Sequence, residues 1–266
     1  MHLLRVPPII FFLIFSFKVF AIYNGNSSLP MMPEEGLFIS KDVWLGIKMG
    51  DQFNDVYDRR LHMAHRHVED QHKKVQKYQS LCNQGVLTLN FNDRAEVFGS
   101  LGAMSFDLSQ RPFENKKVSY RTKTHFTWGA GGRAILAYWG NFQVGVNAAY
   151  LQSDPSLSSV KVNDKSYQKK DAETEFREWQ VGAGVSYRLN WFIPYLGADY
   201  SDFRMKIERL HSLKFLFHRN HVVFKECYPI GVFLGFGLSP DKGFNLNFEV
   251  RFVNENAASI SADFKF

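Results

Sequence analysis

Residues 244–252 read FNLNFEVRF. Phe244, Leu246, Phe248, Val250 and Phe252 fall on one side of an extended chain, and Asn245, Asn247, Glu249 and Arg251 on the other. Strict period-two alternation over nine residues marks a strand with one apolar face; a helix would scatter the same residues around its surface. The final segment repeats it, with Ala258, Ile260, Ala262, Phe264 and Phe266 against Ser259, Ser261, Asp263 and Lys265. A sandwich can show this once. Its recurrence along the chain predicts an all-β, antiparallel transmembrane barrel with apolar residues turned to lipid and polar ones to the interior.

Working backwards, alternating segments recur at Tyr228–Leu238, Trp179–Leu189, Phe142–Tyr150, Thr124–Ala130, Leu87–Phe91 and Val43–Met49. Two segments are weaker: 94–108, where Phe98 and Met104 interrupt the polar face, and 192–207, where only Leu196, Ala198 and Tyr200 keep the pattern. The strand and hairpin rules predict about ten strands, at 43–61, 84–92, 94–108, 119–138, 142–152, 174–189, 192–207, 221–238, 243–253 and 257–266. Extra strand structure in 208–220 (Leu213, Phe215, Phe217) would raise the number to twelve. Tight-turn chemistry at Asn92-Asp93, Gly140-Asn141, Asn190-Trp191 and Pro240-Asp241-Lys242 alternates with long gaps at 62–83, 109–118, 154–173 and 208–220. Short periplasmic turns alternating with long outer loops are the outer-membrane pattern. Closing the sheet removes edges that hydrocarbon cannot satisfy. Tyr138, Trp139, Trp179, Tyr187 and Trp191 near strand ends suit interfacial girdles, and a terminal Phe266 suits an assembly signal.

Composition agrees. The chain has 266 residues, 26 of them Phe, and 16% aromatics, which suits a large apolar outer wall. Residues 1–21, MHLLRVPPIIFFLIFSFKVFA, read as a cleaved export signal with Arg5 before an apolar core and Val19-Phe20-Ala21 at the cleavage site. Removing Arg5 and Lys18, and no acid, lowers the formal charge from +6 to +4. No basic run with interleaved aromatics remains, so nucleic acid is not an expected partner. Residues 22–42 read as a periplasmic lead-in and 43–266 as the barrel domain.

Several blocks resemble a known family. FEVRFVNENAASISADFKF (248–266) is similar to the closing hairpin of the chlamydial major outer-membrane protein porins, and VWLGIKMGDQFNDVYDRRL (43–61) to their first strand. LTLNFNDRAEVFGSLGA (87–103) and EWQVGAGVSYRLNWFIPYLGADYS (178–201) resemble their second and third strands and a later hairpin. The resemblance, to a short and divergent member, implies an outer-membrane porin in a homotrimer, general solute passage and a structural role in the envelope. Outer-membrane lipid and the barrel-assembly machinery would be its partners, small hydrophilic solutes its cargo.

With the apolar set facing lipid (Phe244, Leu246, Phe248, Val250, Phe252, Ile260, Phe264), the residues expected to line the interior follow. They are Lys48, Asn90, Lys123, His125, Arg133, Gln143, Glu178, Gln180, Arg188, Asn245, Glu249, Arg251, Asp263 and Lys265. They make either a polar channel of mixed charge or a set of pairs that plugs a narrow barrel; about eight strands are already filled by side chains. Passage favours a porin. A plugged interior favours a structural protein or adhesin acting through its loops.

Other chemistry is weaker. HMAHRHVEDQH (62–72) holds His62, His65, His67, His72, Glu69 and Asp70, but in no closed metal spacing, and reads as a solvated loop. A surface protease of the omptin kind would need His211, His218 or His221 beside Asp202, and nothing in the spacing brings them together. GAGGR (129–133) lies in strand pattern and is no phosphate loop. Cys82 and Cys227 fall in strands that should not be neighbours, so free, buried thiols are expected. No enzyme, cofactor or metal is expected.

Overall fold

The computed structural model describes residues 25–33, 36, 44–64, 74–113, 115–167, 172–210, 221–240 and 243–266. Ten strands form the wall: β1 (Leu45–Arg59), β3 (Val75–Phe91), β4 (Ala95–Phe113), β6 (His125–Trp139), β7 (Phe142–Ser153), β10 (Glu173–Tyr187), β11 (Phe192–Glu208), β13 (Ile230–Leu238), β14 (Phe244–Phe252) and β15 (Glu255–Lys265). Their order is β3-β1-β15-β14-β13-β11-β10-β7-β6-β4, every pair antiparallel, and β3 pairing with β4 closes the ring. No wall strand keeps an open edge in its membrane part.

At one end, here the turn end, the chain reverses tightly. Asn92 and Asp93 have φ of 50° and 53°, the paired left-handed conformations of a type I′ turn that asparagine and aspartate tolerate. Asn190 (φ 54°) and Gly140 (φ 60°) do the same work between β10 and β11 and between β6 and β7. At the loop end, five further strands extend the wall: β2 (Leu61–Met63), β5 (Lys116–Thr122), β8 (Leu157–Val162), β9 (Lys165–Tyr167) and β12 (Val222–Glu226). β5 folds back on the upper part of β4 and carries β8 and β9, while β12 bridges β11 and β2.

Several expected boundaries are therefore corrected. The strand expected at 119–138 is two strands, β5 and β6, because nineteen-residue β4 takes both in succession: β5 opposite Asp107–Gln110, β6 opposite Ala95–Met104. The strand expected at 84–92 begins nine residues earlier, at Val75. Gaps 109–118 and 154–173 contain β5, β8 and β9 rather than loop alone. The strand expected at 221–238 breaks around Pro229 into β12 and β13. Of 208–220, the residues 211–220 lie outside the described ones, and the closed wall has ten strands.

One physical change explains these misses. In the turn-end half, apolar residues face outward: Leu87 and Leu89 on β3, Val97 and Leu101 on β4, Leu196 and Tyr200 on β11 are all exposed. In the loop-end half the alternation inverts. Tyr78, Phe106, Leu108, Phe203, Met205 and Ile207 face inward and are buried, and Lys77, Asp107 and Arg204 on the same strands face out. The upper wall is thus built like that of a protein in water, with an apolar interior, and the lower wall like one in lipid. A strand crossing the boundary switches phase, which is why 94–108 and 192–207 alternate poorly. Phe98 and Met104, the residues that interrupt the polar face, point into the barrel: Phe98 beneath Arg133 and Met104 in the apolar cluster.

Candidate functional site

The interior is the candidate site, and it is filled in three tiers. At the turn end, Lys48 on β1 pairs with Glu96 on β4, and Arg133 Nε lies 3.4 Å from the second Glu96 oxygen. Asn90 Nδ2 donates to Glu96 Oε1 at 3.0 Å, Asn245 Nδ2 to Asp263 Oδ2 at 3.0 Å, and Lys265 Nζ reaches Asp93 at 2.8 Å. Gln180 on β10 donates to Asp199 on β11.

Into this tier packs the segment 25–33, which contains a short 3-10 turn (Leu29–Met31). The lead-in expected outside the barrel is, over these residues, inside it: Asn26, Ser28, Leu29 and Met32 are all buried. Wall donors hold its carbonyls. Lys48 Nζ donates to Leu29 O at 2.6 Å and to Met32 O, Asn90 Nδ2 to Pro30 O at 2.6 Å, and Lys265 Nζ to Pro33 O at 3.2 Å. Ser28 Oγ bonds Ser186 Oγ. Gly145 leaves room for the segment, since a Cβ there would stand 3.0 Å from Ser27.

The middle tier is a charged network. Arg59 Nη2 lies 2.6 Å from Glu178 Oε1 and 3.0 Å from Glu226 Oε2, and Arg59 Nη1 lies 3.4 Å from Glu255 Oε2. Arg251 Nε reaches Glu255 at 3.3 Å and Glu249 at 3.9 Å. Phe203 lies under the Arg59 guanidinium, 4.6 Å from ring centroid to Cζ. These charges are nearly all within 5% of full burial, so each depends on its partner for solvation. Among the described residues this tier brings together two arginines and four glutamates.

Above it, the loop-end tier is apolar. Tyr78, Phe106, Tyr120, Phe176, Phe203, Met205 and Phe224 belong to one buried cluster. Tyr78 and Phe203 meet edge to face at 5.5 Å, Phe176 and Phe203 at 5.3 Å, and Tyr120 and Phe224 at 6.0 Å.

Of the residues expected to face inward, Lys48, Asn90, Gln143, Glu178, Gln180, Asn245, Glu249, Arg251 and Lys265 are buried in the barrel, and Arg133 and Asp263 are half-buried. Lys123 and His125 are exposed, because the phase switch ends the polar lining before them and Lys123 precedes β6. Arg188 lies past the end of β10, its Nε donating to Asn190 O at 3.4 Å. Phe244, Leu246, Phe248, Val250, Phe252, Ile260 and Phe264 all lie on the opposite face from the buried Asn245, Asn247, Glu249 and Arg251 or the buried Ser259 and Ser261. Phe266 N donates to Ile47 O at 2.9 Å, tying the terminus to β1. Sequence reasoning missed Arg59, Glu226 and Glu255 because each sits at a strand end beside a turn, where period two gives no direction.

The remaining candidates come apart. His65, His67, Glu69, Asp70 and His72 lie outside the described residues, as do His211 and His218. Among the described residues no cluster could hold a metal. Asp202 accepts from Trp179 Nε1 at 3.2 Å on the outer wall. Both cysteines are free, but Cys227 is partly exposed rather than buried, with its Sγ 3.6 Å from His62 Nδ1, because it follows β12 at the rim.

Residues 161–213, spanning the end of β8, β9, β10 and β11, match the family described as Chlamydia major outer membrane protein. A major outer membrane porin of Chlamydia pneumoniae is 26% identical over 203 residues, covering 57% of this chain and 49% of the relative. The serovar F porin of Chlamydia trachomatis is 27% identical over 183 residues, covering 48% and 46%. A further Chlamydia pneumoniae porin is 25% identical over 270 residues, covering 69% of each. The chain spans about half the length of the curated relatives it matches. Among solved structures, the outer membrane protease OmpT of Escherichia coli gives a TM-score of 0.41 at 10% identity, covering 84% of this chain and 96% of that one. The outer membrane protein OprG of Pseudomonas aeruginosa gives 0.38 at 10%, covering 83% and 96%. Likeness at this level carries no argument about function. With its closed ten-stranded wall this chain is an outer-membrane β-barrel, similar in sequence to the chlamydial major outer membrane porins.

Proposed function

We propose that this porin-related barrel is closed in its resting form, and that it serves the envelope as a membrane-spanning structural wall that presents its loop-end strands outside. The observation that carries this is the apolar cluster at the loop end. Phe203, Phe176, Tyr78, Met205 and Phe224 are each at most 1% exposed and cross the lumen from opposite strands. Opening a water path there would expose well-packed aromatic side chains, each worth several kcal/mol when removed from such a core (about 3–5 by truncation). Passive diffusion of small hydrophilic solutes is the second reading, in keeping with the word porin in the relatives' names. It is favoured by the turn-end half, whose lining is largely polar and part of whose filling is a chain segment held by hydrogen bonds to its carbonyls.

Planar-bilayer recording of the refolded mature protein separates them. A closed barrel gives no stable conductance steps, and Phe203→Ala with Met205→Ala, which remove two side chains of the cluster, introduce steps. Stable steps from the unmodified protein whose ion selectivity shifts with Arg251→Glu would establish passage instead.

A further inference from the structure

On the outer wall β5 stands directly above β6. Both pair with the same edge of β4, β6 opposite Ala95–Met104 and β5 opposite Asp107–Gln110, so the two share one outward face. On β6 that face is aromatic: Phe126 and Trp128 are exposed, and the Trp128 ring lies 5.6 Å from that of Tyr150 on β7. Exposed aromatics at a strand end mark the edge of the hydrocarbon. Phe126 stands opposite Ala103 and Arg121 opposite Asp107. That step along β4 is about 13 Å of strand, or roughly 10 Å of depth at the tilt of such barrels. Over it the face changes from aromatic to cationic.

Lys117 and Arg121 flank Ser119 on β5, and Lys161 on β8 stands opposite Ser119, diagonal to both. Diagonal neighbours lie about 7–8 Å apart, within reach of long side chains. Lys77 extends the same row, opposite Ser109, which in turn is opposite Ser119, and Arg111 follows on β4. All five cations are exposed. Among the described residues, the outward positions of β3, β4, β5 and β8 offer them one carboxylate, Asp107, and Arg121 holds it at 2.8 Å. Like charges in neighbouring strand positions repel. Elsewhere on the upper wall the chain interleaves acids, pairing Glu175 with Arg177 on β10 and Glu208 with Lys206 on β11. Here it places serines between the cations instead, so the face is set up for an anion from outside the chain.

We propose that this face binds a phosphorylated glycolipid of the outer leaflet. Lys117, Arg121 and Lys161 receive its phosphates, Ser109 and Ser119 bond its sugar hydroxyls, and its acyl chains run down over Phe126, Trp128 and Leu101. Arginine and lysine are the natural phosphate ligands, arginine through its planar fork. The continuity of the face favours a lipid over a soluble polyanion: a ligand with a charged head and an apolar tail covers both halves, whereas a sulfated polysaccharide engages only the upper one. The site is independent of whether the lumen conducts.

The test uses refolded protein in phosphatidylcholine nanodiscs, with diphosphoryl lipid A as the probe and amine acylation read by mass spectrometry. Lipid A should slow the labelling of Lys117 and Lys161 at least fivefold and leave the exposed Lys225, on β12 away from this face, unchanged. Lipid A stripped of its phosphates should protect neither. Unchanged labelling of Lys117 and Lys161 overturns the proposal, and so does equal slowing at Lys225, which would mean diffuse charge attraction without a site. Protection of the two lysines by heparin and not by lipid A would assign the face to a polysaccharide and overturn the lipid. Lys117→Ala with Arg121→Ala and Lys161→Ala should weaken lipid A binding at least about tenfold, since each cation near a membrane surface contributes to attraction of anionic headgroups. Arg177→Ala with Arg204→Ala and Lys225→Ala, which removes the same charge from β10, β11 and β12, should not; equal loss in both triple variants counts against a site. Should the first triple variant not fold, labelling of the unmodified protein decides alone.

Discussion

Arg59 and Glu178 face each other across the full width of the barrel. Arg59 ends β1 and Glu178 lies in β10, five strands away around a ten-stranded ring, yet their side chains meet at 2.6 Å. The pair therefore ties opposite walls together, and Glu226 and Glu255 share the same guanidinium. A buried pair adds little net stability over a well-packed apolar pair, but removing one partner strands the others. Arg59→Met should lower stability by about 3–5 kcal/mol, the cost of breaking a buried ion pair. Arg121→Ala, which breaks an exposed pair with Asp107, should change it by under about 1 kcal/mol. Urea titration in detergent, followed by tryptophan fluorescence, checks both; equal effects would mean that the cross-lumen contact is not formed.

Glycines opposite inward aromatics make a second prediction. The Tyr195 ring occupies the space a Gly235 Cβ would fill, as Phe233 does at Gly197 and Phe98 at Gly131. Tyr195 OH also donates to Phe248 O at 3.2 Å and Glu249 Oε2 at 3.3 Å, so its position is coupled to the middle tier. Gly235→Ala should cost about 1–3 kcal/mol through overpacking. Combining it with Tyr195→Ala should recover part of that loss, a non-additivity that a double-mutant cycle measures.

The membrane half of this fold was legible in the sequence because lipid enforces period two. The hairpin β14–β15 reads directly from Phe244–Phe252 and Ala258–Phe266, and the type I′ turn from Asn92-Asp93. The upper half was not. On β11 the outward apolar residues are even-numbered up to Tyr200, while inward apolar residues are odd-numbered, at Ile193 and Tyr195 and again from Phe203, so a window across the strand sees no alternation. The buried segment 25–33 was illegible for another reason: its carbonyls accept from side chains of Lys48, Asn90 and Lys265, contacts between positions too distant in the chain for a local pattern to record. Lys48 was readable as an inward position, but its pairing with Glu96 depends on register between β1, β3 and β4.

Tyr120 gives a pH dependence outside the membrane wall. It lies on β5, buried at 1% exposure, and burial pushes its phenol well above the usual tyrosine range while a hydrogen bond from Gln110 Nε2 at 3.3 Å works the other way. A phenol whose folded value lies above the unfolded one contributes fully below about pH 10, the unfolded value, and its contribution is lost as pH rises beyond that. Loop-end stability should therefore decline above pH 10. Tyr120→Phe should remove part of that decline, as followed by proteolysis at β5–β8 across an alkaline series; an identical alkaline profile in the variant would rule Tyr120 out as its source.

Leu196 tests which part of the wall meets hydrocarbon. It is 59% exposed, between Phe192 toward the turn end and Tyr200 toward the loop end, four residues from each. In register it stands beside Val185 on β10 and Leu234 on β13, both also exposed, so a band of apolar side chains crosses the wall at its level. Arginine on the lipid face of a barrel costs about 2–4 kcal/mol at the bilayer midplane and about 0–1 near the interface. Leu196→Arg should therefore destabilise the protein by the larger amount in lipid vesicles, and Trp179→Arg, at the aromatic belt with Tyr200, by much less. The discriminating comparison is a third variant, Asp107→Arg, on the outer face of β4 above the phase switch. There the wall already carries charge toward water, so urea titration in vesicles should find little change beyond the loss of the exposed Arg121 pair. If Asp107→Arg proved as costly as Leu196→Arg, the hydrocarbon would reach past the inversion of the alternation, and the apolar cluster would lie within the bilayer rather than above it.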